Sequence, residues 1–436
     1  MNEQLSIFWF RRDLRLDDNA GLHYALQGKY PILPIFIFDS EILDTLPKND
    51  ARVNFIHDTL QKIREQLLKK YGGGMALYFG NSLDIFNKIT SLHRVKAVYT
   101  NHDYEPYARL RDKAIKKYLS DHGIEFNTYK DQVIFEKDEV VKKDGDPYLV
   151  YTPYMKKWKS RFHVDRDTKN YPCPAHFGNL AKIKNLPILT LHDIGFKPTP
   201  IKVPDFDTSP TLIQKYKTTR DYPSNENGTS RVGPHLRFGT VSVRKMVKMA
   251  SLEKNETFMN ELIWREFFMQ ILWHFPNTVH RAFKPQYDRI AWRNNENDFE
   301  KWKKGKTGYT LVDAGMRQLN TTGYMHNRVR MLAASFLCKH LLIDWRWGEA
   351  YFAEKLLDYE MSSNVGNWQW AAGSGVDAAP YFRIFNPMTQ AEKFDMDKTY
   401  VKKWVPDYDG NTYPPKMVDH KEARERCMKV YMEALR

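Results

Sequence analysis

The stretch LDYEMSSNVGNWQW, Leu357–Trp370, is the most informative segment of this chain. It combines two acids, Asp358 and Glu360, with a turn-like polar run and two tryptophans, Trp368 and Trp370. A surface loop does not need paired tryptophans, and a buried core accepts these polar side chains only if each finds a partner. The combination favours a pocket for a flat, heteroatom-rich ligand. A polar helix cap followed by core aromatics explains the same residues, so this segment alone leaves both interpretations open.

The composition indicates a large, basic, aromatic-rich protein. The chain has 436 residues, a net charge of +14 and 14% aromatic residues. That length allows two or three domains. An excess of positive charge this large is typical of proteins that bind a polyanion, most often nucleic acid. Lysines spread generally over the surface are the alternative explanation of the charge.

The cysteines and the apolar runs bear on the compartment. Cys173, Cys338 and Cys427 are far apart, and no pair has the spacing of metal ligands. This pattern predicts a reducing, cytoplasmic setting and no metal site. The first apolar run, Ile7–Phe10, is short and ends in dense charge, which predicts a strand and not a signal peptide. No segment approaches 18 uncharged apolar residues, so no membrane span is expected.

The first part of the chain alternates short apolar runs with amphipathic segments. This pattern predicts an α/β domain over residues 1–130, a Rossmann-like open parallel sheet with helices on both faces. No glycine-rich dinucleotide fingerprint accompanies it. The predicted strands are Ile7–Phe10, Ile32–Phe38, Met75–Phe79, Ala97–Tyr99 and Ile124–Tyr129, and the predicted helices are Val53–Leu67, Leu83–Ile89 and Arg109–Asp121.

The rest of the chain changes character twice. Residues 131–205 are rich in proline and lose periodicity, which predicts a long interdomain connector packed on the surface. Residues 206–436 lack strand signals, so we expect an all-α domain. Within it, Thr257–Phe275 is apolar nearly all round and predicts a buried helix. Two further helices are expected over Val312–Leu342, separated at Thr321–Gly323.

A second fragment, GTSRVGPHLRFG (Gly228–Gly239), also suggests a ligand. Hydroxyls and a guanidinium just before a helix can bind a phosphate group. An ordinary capped helix with an exposed arginine explains the fragment nearly as well.

The order of the fragments carries more information than any one of them. FWFRRDLRLDDN, TSRVGPHLRFG, ELIWREFF, TTGYMHNRVRM, DWRWGE and NWQWAAGSGVDAAPYFRIFNPMTQ follow one another from Phe8 to Gln390. In this order the chain strongly resembles the photolyase/cryptochrome family, and within it the class I cyclobutane pyrimidine dimer photolyases. The resemblance implies an α/β antenna domain, a connector and a helical FAD-binding catalytic domain. It also implies a monomeric carbon–carbon lyase that repairs UV-damaged DNA with light.

The resemblance assigns candidate site residues position by position. Those implied to bind FAD are Tyr216, Thr229, Ser230, Arg231, Val232, Gly233, Arg330, Asp358, Tyr359, Glu360 and Asn364. Gly233 and Glu360 depart from the family pattern, which usually has Ser and Asp there. Those implied to contact DNA are Arg220, Glu261, Trp264, Arg265, Asn327, Arg328, Met331, Trp370 and Gln390, with Glu261, Trp264, Trp370 and Asn364 in catalytic roles. Trp292, Trp345 and Trp368 match a chain of electron-transferring tryptophans.

Two substitutions within the family pattern refine the expectation. Asn327 and Met331 stand where the (6-4) photolyases resemble each other in two histidines, so the resemblance favours cyclobutane dimers as substrate. Tyr107 and Ala108 stand where folate-binding members have Asn and Glu, which disfavours folate as the antenna. A second antenna chromophore of unknown identity remains an expectation.

Two other functions compete with DNA repair. One is a cryptochrome that binds flavin and senses light without repair, and the other is a basic nucleic-acid-binding protein without catalysis. Without the family, a buried ion pair with Arg265, one turn on, is the preferred explanation of Glu261. Core packing is likewise the simplest explanation of most of the 11 tryptophans.

Overall fold

A computed structural model describes residues Gln4–Arg436. The backbone contacts divide the chain into two compact units that are interleaved along the sequence. The first unit comprises the described residues up to Glu136, together with Arg161–Pro204 and Val232–Leu252. The second comprises Lys137–Ser160, Asp205–Arg231 and Glu253–Arg436. The boundaries near residues 130 and 205 remain a prediction from the sequence.

The first unit contains a parallel sheet of five strands. The strands are β1 (Gln4–Phe10), β2 (Ile32–Asp39), β3 (Ala76–Gly80), β4 (Arg94–Asn101) and β5 (Glu125–Tyr129). Their order in the sheet is β3-β2-β1-β4-β5, and every neighbouring pair is parallel. The predicted Rossmann-like α/β fold is confirmed. The apolar runs were clearest for β1 and β2, because strands covered on both faces need apolar residues along their length.

Both faces of the sheet are buried. Phe8 and Phe10 of β1 belong to one apolar cluster, whereas Ile7 and Trp9 belong to another. Successive side chains of a strand point to opposite faces, so the two clusters lie on the two sides of the sheet. Helices contribute to both clusters: Leu60 of the helix Ala51–Tyr71 packs in the first and Phe86 of the helix Ser82–Leu92 in the second.

Helices occur in both units of the chain. Those up to residue 251 are α1 (Ala20–Leu26), α2 (Ser40–Leu43), α3 (Ala51–Tyr71), α4 (Ser82–Leu92), α5 (Pro106–Asp121), α6 (Tyr151–Arg161), α7 (Val164–Asp167), α8 (Pro210–Thr219), α9 (Gly233–Phe238) and α10 (Val243–Ser251). Those that follow are α11 (Thr257–His274), α12 (Glu296–Lys303), α13 (Thr310–Thr322), α14 (Asn327–Ser335), α15 (Trp345–Lys355), α16 (Met361–Ala372), α17 (Pro387–Phe394), α18 (Thr399–Trp404) and α19 (His420–Leu435). No helix in the described part of the chain is long and apolar enough to cross a membrane.

The proline-rich segment 131–205 is less irregular than its composition suggests. It contains α6, α7 and a 3-10 helix at Pro174–Asn179. In α6, Tyr154 and Trp158 are buried four residues apart, which gives the helix an apolar face. Four basic residues, Lys156, Lys157, Lys159 and Arg161, also lie on this helix. The three aromatic residues of α6 stand out in the sequence. Their helical spacing is short and surrounded by prolines, which made it too weak a signal to predict a helix.

The second unit is helical, as predicted. Its largest apolar cluster includes Trp302, Trp345 and Trp368, which are 2% exposed or less. The helix predicted over Thr257–Phe275 is α11, and most of its residues are buried. The two helices expected over Val312–Leu342 are α13 and α14, but α14 ends at Ser335 in a π-helical turn, Phe336–His340. In that turn the Leu341 N–H donates to the Phe336 carbonyl oxygen, which widens the helix by one residue.

Candidate active site in the helical unit

The start of α16 satisfies its polar residues locally. Glu360 is the N-cap, and its carboxylate accepts hydrogen bonds from the backbone N–H groups of Ser362 and Ser363. The hydroxyl groups of both serines also donate to this carboxylate. Glu360 therefore fulfils the requirement of a helix start for an acceptor. Asn364 and Trp368 follow on α16, four residues apart, so they lie on the same side of the helix.

Asn364 is held by a residue that the sequence did not reveal. Its side-chain N–H group donates to the Glu349 carboxylate at 2.8 Å and to the Glu349 carbonyl oxygen at 3.1 Å. Both partners are acceptors, so they fix the NH₂ end of the amide toward Glu349 and direct its oxygen away. Burial raises the pKa of Glu349, and the hydrogen bond from Asn364 opposes that shift.

Arg330 and Asp358 form a two-point ion pair. The two terminal nitrogens of Arg330 donate to the two Asp358 oxygens at 3.0 and 2.8 Å, and Arg330 Nε donates to the Met325 carbonyl oxygen. Burial lowers the pKa of Arg330, but Asp358 more than offsets this, so the pKa of Arg330 is raised. This fork fixes both side chains in one plane.

The Thr229–Arg231 run is connected to this ion pair through an aromatic residue. The Ser230 side chain hydrogen-bonds to the Tyr216 hydroxyl group. The Thr229 and Tyr324 hydroxyl groups are 3.4 Å apart, and the Arg330 guanidinium lies 5.7 Å from the centre of the Tyr324 ring. Tyr324, which the sequence interpretation did not single out, therefore borders both groups.

The remaining predicted cofactor residues are Arg231, Val232, Gly233 and Tyr359. Arg231 has a φ of 53°, a left-handed conformation that is costly for a residue with a side chain. Its guanidinium donates to the Glu226 carbonyl oxygen at 2.7 Å. Val232 and Gly233 belong to the first unit, where Gly233 begins α9. Tyr359 is partly buried against the main apolar cluster of the second unit.

Four charged side chains form a row that begins at Glu261 of α11. Glu261 pairs with Arg220, which is the C-cap of α8. The next residue, Asp221, accepts a hydrogen bond from Arg328 of α14 at 2.6 Å. Burial raises the pKa of Glu261, and the Arg220 guanidinium opposes that shift. The sequence had suggested Arg265 as the partner of Glu261, but the structure supplies Arg220, 41 residues away. Such a partner cannot be found from helix periodicity.

Trp264, which the resemblance places in the wall of the substrate pocket, is itself stacked. Its ring is parallel to that of Tyr151, with an angle of 6° and 3.6 Å between centroids. The Tyr151 hydroxyl group donates to the Asn260 carbonyl oxygen at 2.8 Å. One face of Trp264 is therefore covered by the start of α6. Arg265 follows on α11 and is half-buried.

The MHNRVRM segment places its polar residues at the beginning of α14. His326 is the N-cap, and its Nδ1 accepts a hydrogen bond from the Arg328 N–H group at 3.1 Å. Burial, followed by the positive charge of Arg330, lowers the pKa of His326 to about 4. Asn327 is exposed, and its amide group lies 3.9 Å from the Met331 sulfur atom.

The two remaining predicted DNA-contacting residues lie on α16 and α17. Trp370 is half-buried near the end of α16. Gln390 lies on α17 four residues before Phe394, and the Arg328 guanidinium lies 4.4 Å from the centre of the Phe394 ring. Arg328 thus connects the row of charges to the helix that carries Gln390.

The three predicted electron-transferring tryptophans pack in or against one apolar cluster. Trp345 and Trp368 are 1% and 2% exposed, and Trp292 is partly buried. A Cβ atom at Gly348 would approach the Trp368 ring to 2.1 Å, so α15 needs glycine there. The centroids of Trp368 and Trp302 are 6.2 Å apart. The sequence interpretation did not assign Trp302 to this group.

In the first unit, Tyr107 and Ala108, the two residues that bear on the identity of an antenna chromophore, make local contacts. The Tyr107 hydroxyl group donates to the Asp39 carboxylate at 2.8 Å, and Ala108 is buried. The same carboxylate accepts a hydrogen bond from the Ser82 hydroxyl group at 2.7 Å. Over residues 4–436, no group of three or more His, Cys, Asp or Glu side chains has an arrangement that could hold a metal ion.

Two family models cover most of this architecture. The model described as DNA photolyase matches residues 6–175, and the FAD binding domain of DNA photolyase matches residues 258–410. The chain belongs to the DNA photolyase family. It is an enzyme, a DNA photolyase, and FAD is its cofactor.

Relatives of this photolyase match it over nearly its whole length. The deoxyribodipyrimidine photo-lyase of Halobacterium salinarum is 34% identical, with 99% of each chain covered. The crystal structure of a class III photolyase from Agrobacterium tumefaciens has a TM-score of 0.89 and 34% identity, covering 100% of this chain and 98% of that one. An archaeal photolyase from Sulfolobus tokodaii, solved with two FAD molecules, has a TM-score of 0.82 and 33% identity, covering 98% of this chain and 99% of that one.

The donors and acceptors of the helical unit fit a flavin dinucleotide. Thr229 and Ser230 offer hydroxyl groups and Arg231 offers a guanidinium, a set that suits a diphosphate. The strained backbone at Arg231 is the kind of feature that persists at ligand sites. Arg330 and Asp358 offer a donor and an acceptor fixed in one plane, as the edge of a flavin ring requires.

Proposed function

We propose that this photolyase splits cyclobutane pyrimidine dimers in UV-damaged DNA. One observation supports this most strongly: Tyr216 borders both the proposed cofactor residues and the proposed substrate pocket. Its hydroxyl group bonds to Ser230, while the charges of Glu261 and Arg220 act on it. An acid that only one side chain separates from the proposed flavin residues suits the transfer of an electron to a bound pyrimidine pair.

The proposed cofactor residues divide into two groups. Tyr216 and the Thr229–Gly233 run hold the diphosphate side of FAD. Arg330, Asp358, Tyr359, Glu360 and Asn364 face the flavin side, and the oxygen of the Asn364 amide points away from Glu349 as an acceptor. Bound FAD supplies light absorption and an electron. The protein supplies position and the exclusion of water.

The proposed dimer pocket consists of Glu261, Trp264, Asn327, Met331 and Trp370. Trp264 and Trp370 flank the dimer as flat apolar walls. We propose that the Glu261 carboxylate, held by Arg220, accepts a hydrogen bond from a pyrimidine N–H group of the dimer.

The choice of lesion follows from the acids available at the start of α14. Repair of a (6-4) lesion needs a general acid, and His326 is the histidine of the MHNRVRM segment. His326 is buried, caps α14 and has a pKa lowered to about 4, so it is neutral near pH 7. Asn327 and Met331 offer no proton. This combination supports a cyclobutane dimer as substrate. The finer assignment to class I remains a prediction, since one similar structure is a class III enzyme.

The proposal includes binding of the DNA strand around the pocket. A dimer must leave the duplex to reach the pocket, which costs a few kcal/mol and least for a damaged step; photolyases are a standard example of this rule. We propose that Arg220, Arg265, Arg328 and Gln390 hold the strand during this movement. The net charge of +14 supports contacts with phosphates.

Other parts of the proposal concern electrons, a second chromophore and the state of the protein. We propose that Trp292, Trp345 and Trp368 carry electrons across the helical unit. The two FAD molecules of the Sulfolobus protein support a second, antenna chromophore here, and the contact between Tyr107 and Asp39 supports one other than folate. Three buried free cysteines support a reducing cytoplasm. We take the enzyme to be a monomer.

Glu261→Gln tests the proposed pocket. Glutamine keeps the shape of the side chain but carries no negative charge that could pair with Arg220. We expect about tenfold slower repair of thymine dimers by reduced enzyme, with the absorption of bound flavin unchanged. Glu300→Gln, which removes an acid paired with Lys303, is the control and should repair at the wild-type rate. Loss of flavin from the Glu261 variant would instead assign Glu261 a structural role.

A further inference from the structure

We propose that Asp221 is a positioning residue for damage recognition, which holds Arg220 and Arg328 in place and reduces the attraction of this surface for undamaged DNA. The inference rests on the proposed function, because that proposal assigns both arginines to DNA. The sequence assigned no role to Asp221.

The geometry places one carboxylate oxygen between the two arginines. Asp221 Oδ1 accepts a hydrogen bond from Arg328 Nη2 at 2.6 Å and lies 3.8 Å from Arg220 Nε. Asp221 follows the C-cap of α8, whereas Arg328 is on the first turn of α14. The acid therefore ties the end of one helix to the beginning of another.

Each arginine has a second anchor. Arg220 pairs with Glu261 of α11, and the Arg328 guanidinium stacks on Phe394 of α17. With Asp221 between them, the row Glu261–Arg220–Asp221–Arg328 alternates in charge. Long arginine side chains otherwise occupy many rotamers, so anchoring at both ends lowers the entropy lost when they bind a ligand.

The exposure of the acids argues for recognition over stability. The side chains of Asp221 and Glu261 are both 38% exposed. Ion pairs with this much access to water contribute little to folding. They do change the local field: two acids cancel the charge of two arginines, so the row is not a general phosphate clamp on an otherwise basic protein.

Two effects of removing the carboxylate have opposite signs, which makes the inference testable. Asp221→Asn leaves the row with one net positive charge, so binding of an undamaged duplex should strengthen by about two- to fivefold at low salt. The same change frees Arg328, so binding to a thymine-dimer duplex should weaken by about tenfold. Loss of folding would weaken both.

The experiment measures dissociation constants in the dark for two duplexes of one sequence, one with a single thymine dimer and one undamaged. It uses flavin-loaded full-length enzyme at two salt concentrations. For Asp221→Asn we expect the preference for the dimer to fall by at least about tenfold, while Asp221→Glu retains most of the preference. The bound-flavin absorption of each variant confirms that the helical unit is folded.

Asp407→Asn is the matched control. Asp407 pairs with Arg317 in the same unit, and its side chain is 37% exposed, so the change in charge and exposure is the same. It should shift both affinities alike and leave the preference unchanged. If Asp221→Asn behaves like Asp407→Asn, the inference is overturned and Asp221 is one surface charge among others. A wild-type enzyme without any preference for the dimer would instead overturn the proposed function, and the inference with it.

Discussion

His326 combines a structural and an electrostatic role in one side chain. It caps α14, the helix that carries Asn327, Arg328, Arg330 and Met331, by accepting a hydrogen bond from a backbone N–H group. A protonated imidazole cannot accept that hydrogen bond, and burial beside arginines disfavours its charge. The start of the proposed active site therefore depends on a neutral His326.

This dependence predicts acid sensitivity. The pKa of His326 is about 4 in the native state and 6.5 ordinarily, so between these values the unfolded chain binds more protons. Its contribution is present in full above pH 6.5 and is lost as the pH falls toward 4, a change of about 3 kcal/mol in the free energy of unfolding. His326→Asn keeps a capping oxygen and removes the titration. Denaturant unfolding from pH 4 to 7 should therefore show a shallower decline for the variant, and equal slopes would contradict the assignment.

Individual residues show what the sequence could and could not predict. Family resemblance assigned roles to Asn364 and Glu261 from their positions in the family pattern. It did not assign Glu349, in the fragment DWRWGE, as the residue that holds Asn364 from 15 residues away, or Arg220 as the partner of Glu261 from 41 residues away. Such partners depend on how helices meet, and local periodicity contains no information about that.

At the scale of elements, α6 and α11 together form the wall of the proposed pocket. The stacking of Tyr151 on Trp264 fixes the indole ring before any ligand arrives. The Tyr151 N–H group also donates to the Asp377 carboxylate, at 3.2 Å, so the start of α6 is attached on both sides. An ordered wall lowers the entropy lost on binding.

Replacement of Tyr151 tests this coupling between the two helices. Tyr151→Ala removes an aromatic pair worth about 1 kcal/mol, and we expect a three- to tenfold weaker affinity for the thymine-dimer duplex. Tyr151→Phe keeps the ring and should bind nearly as wild type. Dark binding measurements with both variants, at full flavin occupancy, distinguish the outcomes. Wild-type affinity in Tyr151→Ala would show that Trp264 needs no support from α6.

The elements also explain which parts of the fold were predictable. The central strands β1 and β2 were the clearest in the sequence because they are buried on both faces and therefore apolar along most of their length, whereas the edge strand β5 is exposed or half-buried and carries polar residues. The helix α6 was missed because prolines surround it and only one of its faces is apolar. The π-helical turn at Phe336–His340 was missed because it continues the apolar periodicity of α14 with one extra residue.

At the scale of the whole molecule, each of the two compact units is assembled from segments that are separate in the sequence. The first unit includes Arg161–Pro204 and Val232–Leu252, each of which follows a segment of the second unit in the sequence. A change of composition along the chain can indicate where sheet gives way to helix. It cannot indicate that later segments return, because a return depends on tertiary contacts. The α/β and all-α classes themselves followed from periodicity.

The net charge of the whole molecule explains why the row of alternating charges around Asp221 matters for recognition. A chain with a net charge of +14 binds DNA through its general field, and that attraction does not distinguish damaged from intact strands. Discrimination must come from fixed side chains in the pocket. The alternation of acids and arginines between α8, α11 and α14 is where we place that discrimination.

The most direct test is repair of a duplex with one defined thymine dimer by chemically reduced, flavin-loaded enzyme. Illuminated and dark samples are compared, with a (6-4) duplex in parallel. We predict that the cyclobutane dimer alone disappears, and only in light. Repair of neither lesion, with flavin bound, would contradict the proposed function and indicate a light receptor without repair activity. Repair of the (6-4) lesion would contradict the assignment of Asn327, Met331 and a neutral His326.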